Sequence, residues 1–142
     1  MNIQIQILTF ISLFVAATAA ADSFYGSNGT YQGSARHSGN GNTSYYDSNG
    51  AYQGRACSIG PGSRNYYGAN GAYRGTARTD SNGNTRYYGE NGSYQGSSSN
   101  DGNGNTRYYG ANGSYLGSSR TDSSGTTHYY GANGAYQGCK RP

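Results

Sequence analysis

The chain has few of the side chains that build ordinary protein cores. It contains no Trp and one Met, and after Asp22 its only large aliphatic or Phe side chains are Phe24, Ile59 and Leu116. Burial of such side chains is the main favourable contribution to folding, so a Leu/Ile/Val core is excluded for this segment. The 17 Tyr and 25 Gly residues stand in their place. Because Tyr rings bury large areas, we expect them to supply the nearest equivalent of a core.

Side chains for catalysis or metal binding are also sparse. The chain has two His and two Cys, with no Cys-x-x-Cys motif, which disfavours a zinc or dithiol redox centre. No Ser/His/Asp set and no phosphate-binding Gly loop is recognisable. The sequence therefore predicts a protein that is not an enzyme and has no metal or cofactor. Cys57 and Cys139 form either one disulfide or two free thiols in an exported protein.

The first 21 residues hold most of the aliphatic side chains. Residues 7–17 form a short apolar segment, and Ala19-x-Ala21 before Asp22 places small residues at a cleavage site. This pattern is typical of a secretory signal peptide, although residues 1–6 carry no Lys or Arg. We predict a signal peptide over 1–21 and an exported domain over 22–142, without a stable membrane span after cleavage, in the periplasm, at the cell surface or outside the cell. An uncleaved anchor is the alternative.

A 21-residue repeat fills the rest of the chain without insertions. Each unit carries an Asn-Gly pair between tyrosines, such as Asn70-Gly71, and a second turn such as residues 80–84. Asn-Gly predicts a two-residue type I′ turn, and Gly83 favours a three-residue loop with glycine in the left-handed region. The six units begin at Phe24, Tyr45, Tyr66, Tyr87, Tyr108 and Tyr129.

Two turns per unit predict an all-β fold, a meander of antiparallel hairpins that forms a single sheet, a spiral or a solenoid-like structure. The pattern leaves open whether the sheet stays open, spirals or closes. The first turn predicts Tyr66 opposite Gly75 and Tyr73 opposite Gly68 on the core face. Around the second turn, a loop of three residues keeps the faces aligned. The predicted pairs there are Thr79 with Thr85, Arg78 with Arg86 and Ala77 with Tyr87.

The opposite face is the candidate binding surface. Nine of the ten cationic residues are Arg, which suits planar recognition of anions, and Tyr rings on the same face can stack on sugars or bases. The acidic residues Asp80, Asp101 and Asp122 begin the second turns, where we expect each to bond its own turn backbone. The candidate residues are Arg36, Arg78, Arg86, Arg107, Arg120, Tyr46, Tyr67, Tyr88, Tyr109 and Tyr130.

The repeat resembles two known groups of sequences. Residues 80–92 and the string Tyr45-Tyr46-Asp47-Ser48-Asn49-Gly50 resemble bacterial YD repeats of the Rhs type, and short exported bacterial proteins built from Tyr/Gly repeats look similar. In the large Rhs family such repeats spiral into a strand-built shell. A weaker resemblance, to choline- and glucan-binding cell-wall repeats with YY and NG, implies attachment to the cell wall.

These features lead to two hypotheses about function. The first is a non-catalytic exported repeat protein of the cell envelope or surface, structural or binding an acidic polysaccharide or envelope polymer; nucleic acid is disfavoured as a partner. The alternative is a self-assembling Tyr/Gly-rich material protein, because exposed strand edges and near-identical repeats favour edge-to-edge growth.

Overall fold

The structure is a computed structural model that describes residues 21–142. The predicted signal peptide lies outside these residues, except for Ala21, which begins the first strand. Strands alternate with tight turns throughout the described part of the chain. They are β1 (Ala21–Gly26), β2 (Tyr31–His37), β3 (Thr43–Asp47), β4 (Tyr52–Gly60), β5 (Ser63–Gly68), β6 (Tyr73–Thr79), β7 (Thr85–Gly89), β8 (Tyr94–Asn100), β9 (Asn105–Gly110), β10 (Tyr115–Thr121), β11 (Thr127–Gly131) and β12 (Tyr136–Arg141).

The strands form one antiparallel meander that closes into a barrel, in which β12 pairs with β1. The predicted single-sheet hairpin meander is confirmed, but the spiral or solenoid-like form is wrong. The reason lies in the register of the closing pair: Phe24 lies opposite Lys140 just as Tyr45 lies opposite Ala35 inside the sheet. The first and last strands therefore pair in the same register as neighbouring strands inside the sheet, and closure leaves neither edge unpaired.

The first turn of each unit is not the predicted type I′ turn. The N–H of Gly71 donates to the Gly68 carbonyl and the N–H of Gly68 donates to the Ala72 carbonyl, both at 2.9 Å. Gly71 has a φ of 77°, whereas no described non-Gly residue has a positive φ; a type I′ turn needs positive φ at both central residues. The loop therefore has three residues, 69–71, and Asn70 acts through its side chain, which accepts the N–H of Ala72 at 3.1 Å.

A β-bulge next to the first turn compensates for the extra loop residue. Tyr66 pairs with Gly75 as predicted, but the register shifts there and Tyr67 pairs with Tyr73. The predicted pairing of Tyr73 with Gly68, and with it the assignment of Tyr73 to the core face, is therefore wrong. One added loop residue turns Tyr73 outward, and the bulge at Arg74 restores the face of everything beyond it.

The second turn agrees with its prediction. Gly83 has a φ of 80°, and the oxygen Oδ1 of Asp80 accepts the N–H groups of Asn82 and Asn84 at 3.0 and 2.9 Å. A three-residue loop of this kind keeps the inner-face residues of the two strands opposite each other. The three predicted pairs across this hairpin, Thr79 with Thr85, Arg78 with Arg86 and Ala77 with Tyr87, are all present.

The inner face consists of aromatic rings over small residues. Five inward tyrosines and Phe24 form an interior aromatic layer, one ring per unit, and small side chains such as Ala35 and Ala56 beside it are at most 1% exposed. The hydroxyl of Tyr108 lies 2.8 Å from the hydroxyl of Ser119, and Tyr87 and Ser98 repeat this contact. Glycines opposite the inward tyrosines, such as Gly75 opposite Tyr66, have no side chain and leave room for these rings in place of a Leu-rich core. The inward tyrosines are Tyr45, Tyr66, Tyr87, Tyr108 and Tyr129.

Candidate binding site on the outer face of the barrel

Every unit places two tyrosines side by side on the outer face. Within each pair the ring centroids are 5.8–6.0 Å apart and the ring planes cross at 61–66°, an edge-to-face arrangement that aromatic pairs favour. We call these twelve residues the outer tyrosine belt. Its pairs are Tyr25 and Tyr31, Tyr46 and Tyr52, Tyr67 and Tyr73, Tyr88 and Tyr94, Tyr109 and Tyr115, and Tyr130 and Tyr136.

Arginines follow the outer tyrosine belt around the barrel. Eight of the nine are exposed, and all of these except Arg74, which lies at the bulge, alternate along their strands with inward residues; we call the other seven the outer arginine belt. In four cases the guanidinium carbon lies over a Tyr ring, from 4.7 Å for Arg141 above Tyr25 to 5.8 Å for Arg78 above Tyr88. Cation–π contacts use the face of the guanidinium group and leave its N–H groups available to an anion. The belt comprises Arg36, Arg55, Arg78, Arg86, Arg107, Arg120 and Arg141.

All ten sequence-predicted site residues lie on this outer face, but they form no single pocket. Arg78 and Arg86 are cross-strand partners, as the register predicted. The residues that the sequence interpretation missed are Arg55, Arg141, Tyr25 and the second tyrosine of each pair. The strand alternation beside Ala56 already marked Arg55 as outward. The second tyrosines were missed because their orientation depends on the three-residue loop.

One groove brings part of the candidate surface together. It has a volume of about 320 Å³ and is lined by Arg107, Arg120, Tyr115 and Tyr130, with Asp101 at one side. The side-chain amide of Asn105 donates to the Asp101 carboxylate at 2.7 Å and, with the turn backbone, lowers the pKa of that carboxyl. This carboxylate is therefore tied to its own turn, and two arginines and two tyrosines line the same groove.

The other turn carboxylates are similarly bound to their own loops. The Ser124 hydroxyl and then the His128 ring lower the pKa of Asp122 to about 2, and His128 Nε2 lies 3.2 Å from the Asp122 oxygen Oδ2. The N–H of Asn84 is the largest cause of the lowered pKa of Asp80. Such carboxylates stay ionised and hydrogen-bonded near neutral pH, which suits turn formation and not proton transfer.

The two cysteines are both free thiols. Cys57 lies on β4 and Cys139 on β12, four strands apart around the barrel. At about 4.8 Å per strand this separation exceeds the reach of a disulfide, which needs Cα atoms within about 7 Å. Burial and a hydrogen bond with the Cys139 thiol raise the pKa of Tyr136.

Residues 21–142 place no group of three or more His, Cys, Asp or Glu side chains where they would hold a metal ion. The same residues include no helix that is long and apolar enough to cross a membrane. Comparisons with protein-family models, with curated proteins and with solved structures find no match. The resemblance to YD repeats and to cell-wall-binding repeats therefore stays a prediction.

Proposed function

We propose that the protein is an exported, non-catalytic repeat protein whose outer face binds a linear acidic glycan or a similar anionic polymer of the cell envelope. The observation that carries this proposal is the groove that Arg107 and Arg120 line together with Tyr115 and Tyr130. Guanidinium groups bind carboxylate or sulfate oxygens through paired hydrogen bonds, and Tyr rings offer flat apolar faces to sugar rings.

The repeat extends this chemistry around the barrel. Equivalent Tyr pairs recur every two strands, or about 9.5 Å, and an arginine accompanies most of them. A polymer that engages one unit brings its next charged sugars within reach of the next unit. Linked weak contacts of this kind raise the overall affinity without any single tight site. We therefore expect long chains to bind better than short oligosaccharides.

The alternative hypothesis, a self-assembling material protein, depended on exposed strand edges. Because β1 and β12 pair with each other, that support is absent, and the exposed tyrosine pairs are the remaining feature in its favour. An acidic polymer also matches the net charge of +4, which favours association with anions.

The test is a titration of the purified protein with an acidic polysaccharide, polygalacturonate, and with neutral dextran as the matched polymer. We expect binding to polygalacturonate at low salt that weakens as salt is added, because screening reduces exposed charge contacts. Replacing both groove arginines (Arg107→Gln, Arg120→Gln) should weaken binding about tenfold or more, equivalent to at least about 1.4 kcal/mol.

The matched control is Arg74→Gln, because four other units have Gln at this repeat position (Gln32, Gln53, Gln95 and Gln137). It also removes one positive charge, but outside the groove, and should change the affinity little. Equal losses of affinity in the two variants would mean that binding depends on net charge and not on the groove. Absence of binding to either polymer would overturn the proposal, and equal, salt-resistant binding to both would replace acidic recognition with stacking on neutral sugar.

A further inference from the structure

Charged residues enter the barrel interior at three positions where the repeat otherwise has small neutral ones. One inward repeat position holds Thr in four units but Asp22 in the first and Arg64 in the third. The position that pairs with it across the strands holds Ala or Ser in five units and Lys140 in the last. Arg64 shares its strand face with the buried Tyr66 and pairs with the inward Ala77, so its side chain faces inward.

The carboxylate of Asp22 already contacts two other side chains. Its oxygen Oδ2 lies 3.2 Å from Lys140 Nζ and 3.0 Å from His37 Nε2, and the side chains of all three residues are at most 10% exposed. His37 Nδ1 in turn contacts the hydroxyl of Thr43 at 2.9 Å. One carboxylate thus serves two nitrogen-containing partners and leaves no charge for a third.

Arg64 is an inward cation that forms no salt bridge with any carboxylate of residues 21–142. Its Nη1 atom is buried and has no hydrogen-bond partner among the described residues. The charge of Arg64 acts on the hydroxyls of Tyr45 and Tyr66. Burial raises the pKa of both hydroxyls, so they are neutral near pH 7 and supply no negative charge. The Arg64 side chain is half-buried, and a guanidinium nitrogen that is buried without an acceptor destabilises the folded chain.

A second buried donor faces the same interior. The hydroxyl of Tyr129 is buried and has no hydrogen-bond partner within residues 21–142. In the preceding unit the equivalent hydroxyl, that of Tyr108, contacts Ser119, but the residue that corresponds to Ser119 beside Tyr129 is Lys140, which is engaged with Asp22. Two inward polar groups therefore lack the partner that buried groups normally have.

The inward side chains level with Arg64 are mostly small. Eight strands enclose a space that side chains just fill, and twelve strands enclose a wider one. Apart from the charged residues, the two repeat positions level with Arg64 hold only Thr, Ala and Ser, which are small side chains for a barrel of this width.

We propose that the barrel interior binds one small anion, inorganic or carboxylate, whose charge neutralises Arg64 and which accepts a hydrogen bond from its Nη1 atom. This site is separate from the proposed glycan surface, because the two lie on opposite faces of the same sheet. Its ligand also differs, because it is one small enclosed ion bound at a definite stoichiometry, whereas the glycan is a polymer bound through repeated exposed contacts.

The test is the unfolding temperature of the purified protein in chloride, phosphate or acetate, with ionic strength held constant by a bulky sulfonate salt. We expect at least one of the three anions to raise the unfolding temperature saturably, because a ligand that binds only the folded state stabilises it by mass action. The ion that acts distinguishes an inorganic ligand from a carboxylate. Isothermal titration with that anion should give about one site per chain.

The decisive variant is Arg64→Thr, which restores the residue that four other units carry and is therefore compatible with the fold. It should unfold at a higher temperature than the unsubstituted protein without the anion, and it should lose the anion dependence. Arg86→Gln, which removes an outward arginine, should keep that dependence. Saturable stabilisation that survives in Arg64→Thr, that disappears in Arg86→Gln, or that is absent for all three anions in the unsubstituted protein would overturn the proposal.

Discussion

Lys140 on the last strand and Asp22 on the first form a buried ion pair across the seam where the barrel closes. The atoms Nζ and Oδ2 are 3.2 Å apart, and the residues are separated by 118 positions in the chain. Backbone pairing runs through the same seam in the register used elsewhere in the sheet. The barrel is thus closed by a repeat-like backbone ladder together with one ion pair that no other unit contains.

Removal of one partner of this pair should be much more destabilising than removal of both. Asp22→Asn leaves the Lys140 ammonium buried without a counter-charge, and we expect the free energy of unfolding to fall by about 3–5 kcal/mol. The double variant Asp22→Thr with Lys140→Ser restores the repeat residues and should recover most of that loss. Urea unfolding followed by circular dichroism measures both, and a double variant as unstable as Asp22→Asn would contradict this role of the pair.

Substitution of Gly75 should disrupt the sheet, whereas substitution of Gly71 should not. Gly75 has a φ of 146°, and a Cβ there would collide with the backbone carbonyl oxygen of Tyr88. We expect Gly75→Ala to lower the free energy of unfolding by about 3 kcal/mol or more, from backbone strain plus the displaced strand.

The matched control is Gly71→Asn, at a position with a φ of 77° where a Cβ meets open space. Asn tolerates this left-handed conformation, so the cost should be below about 1 kcal/mol. Chemical denaturation of the two variants side by side gives the comparison. Similar losses for both would mean that close approach of strands β6 and β7 is not what requires glycine.

The hydrogen bond between Tyr108 and Ser119 should show the non-additivity of a buried polar pair. Ser119→Ala leaves the Tyr108 hydroxyl buried without this partner and should cost about 1–3 kcal/mol. Adding Tyr108→Phe removes the unpartnered group and reproduces the Phe24 and Ala35 combination of the first unit, so the double variant should be more stable than Ser119→Ala alone. Thermal unfolding of both variants tests this order, and additive losses would count against it.

The interior aromatic layer should make the protein sensitive to alkaline pH. Burial raises the pKa of Tyr45, Tyr66, Tyr87, Tyr108 and Tyr129, whereas an unfolded chain ionises its tyrosines near about pH 10. The folded state therefore binds more protons than the unfolded state above that pH, so these hydroxyls contribute full stability below about pH 10 and lose it as the pH rises.

The measurement is a comparison of tyrosinate absorbance with circular dichroism as the pH is raised. We expect the five inward hydroxyls to ionise only together with the loss of β structure. Tyr129→Phe, which removes one of them and resembles the natural Phe24, should move the alkaline midpoint upward. Ionisation of all 17 tyrosines with the circular dichroism unchanged would show that the inward hydroxyls are not protected.

Much of the fold follows from residue spacing alone. The uninterrupted 21-residue period predicts two turns per unit, and strand alternation places Tyr66 and Ala77 inward and Arg78 outward, as observed. The prediction failed at Tyr73, because Asn-Gly is compatible with a two-residue and a three-residue loop and the difference of one residue reverses the face of the next side chain. Half of the outer tyrosine belt was missed for this reason.

The sequence by itself determined which stretches are strands, where the turns lie and which face carries most of the arginines, because turn chemistry and alternation are local properties. The tertiary structure alone decided that twelve strands close on themselves and that Asp22 meets Lys140. Closure depends on twist and register accumulated over the whole sheet, and no single unit contains that information. Barrel closure also decides whether an inward charge such as that of Arg64 has a partner, because the partner has to come from other strands of the barrel wall.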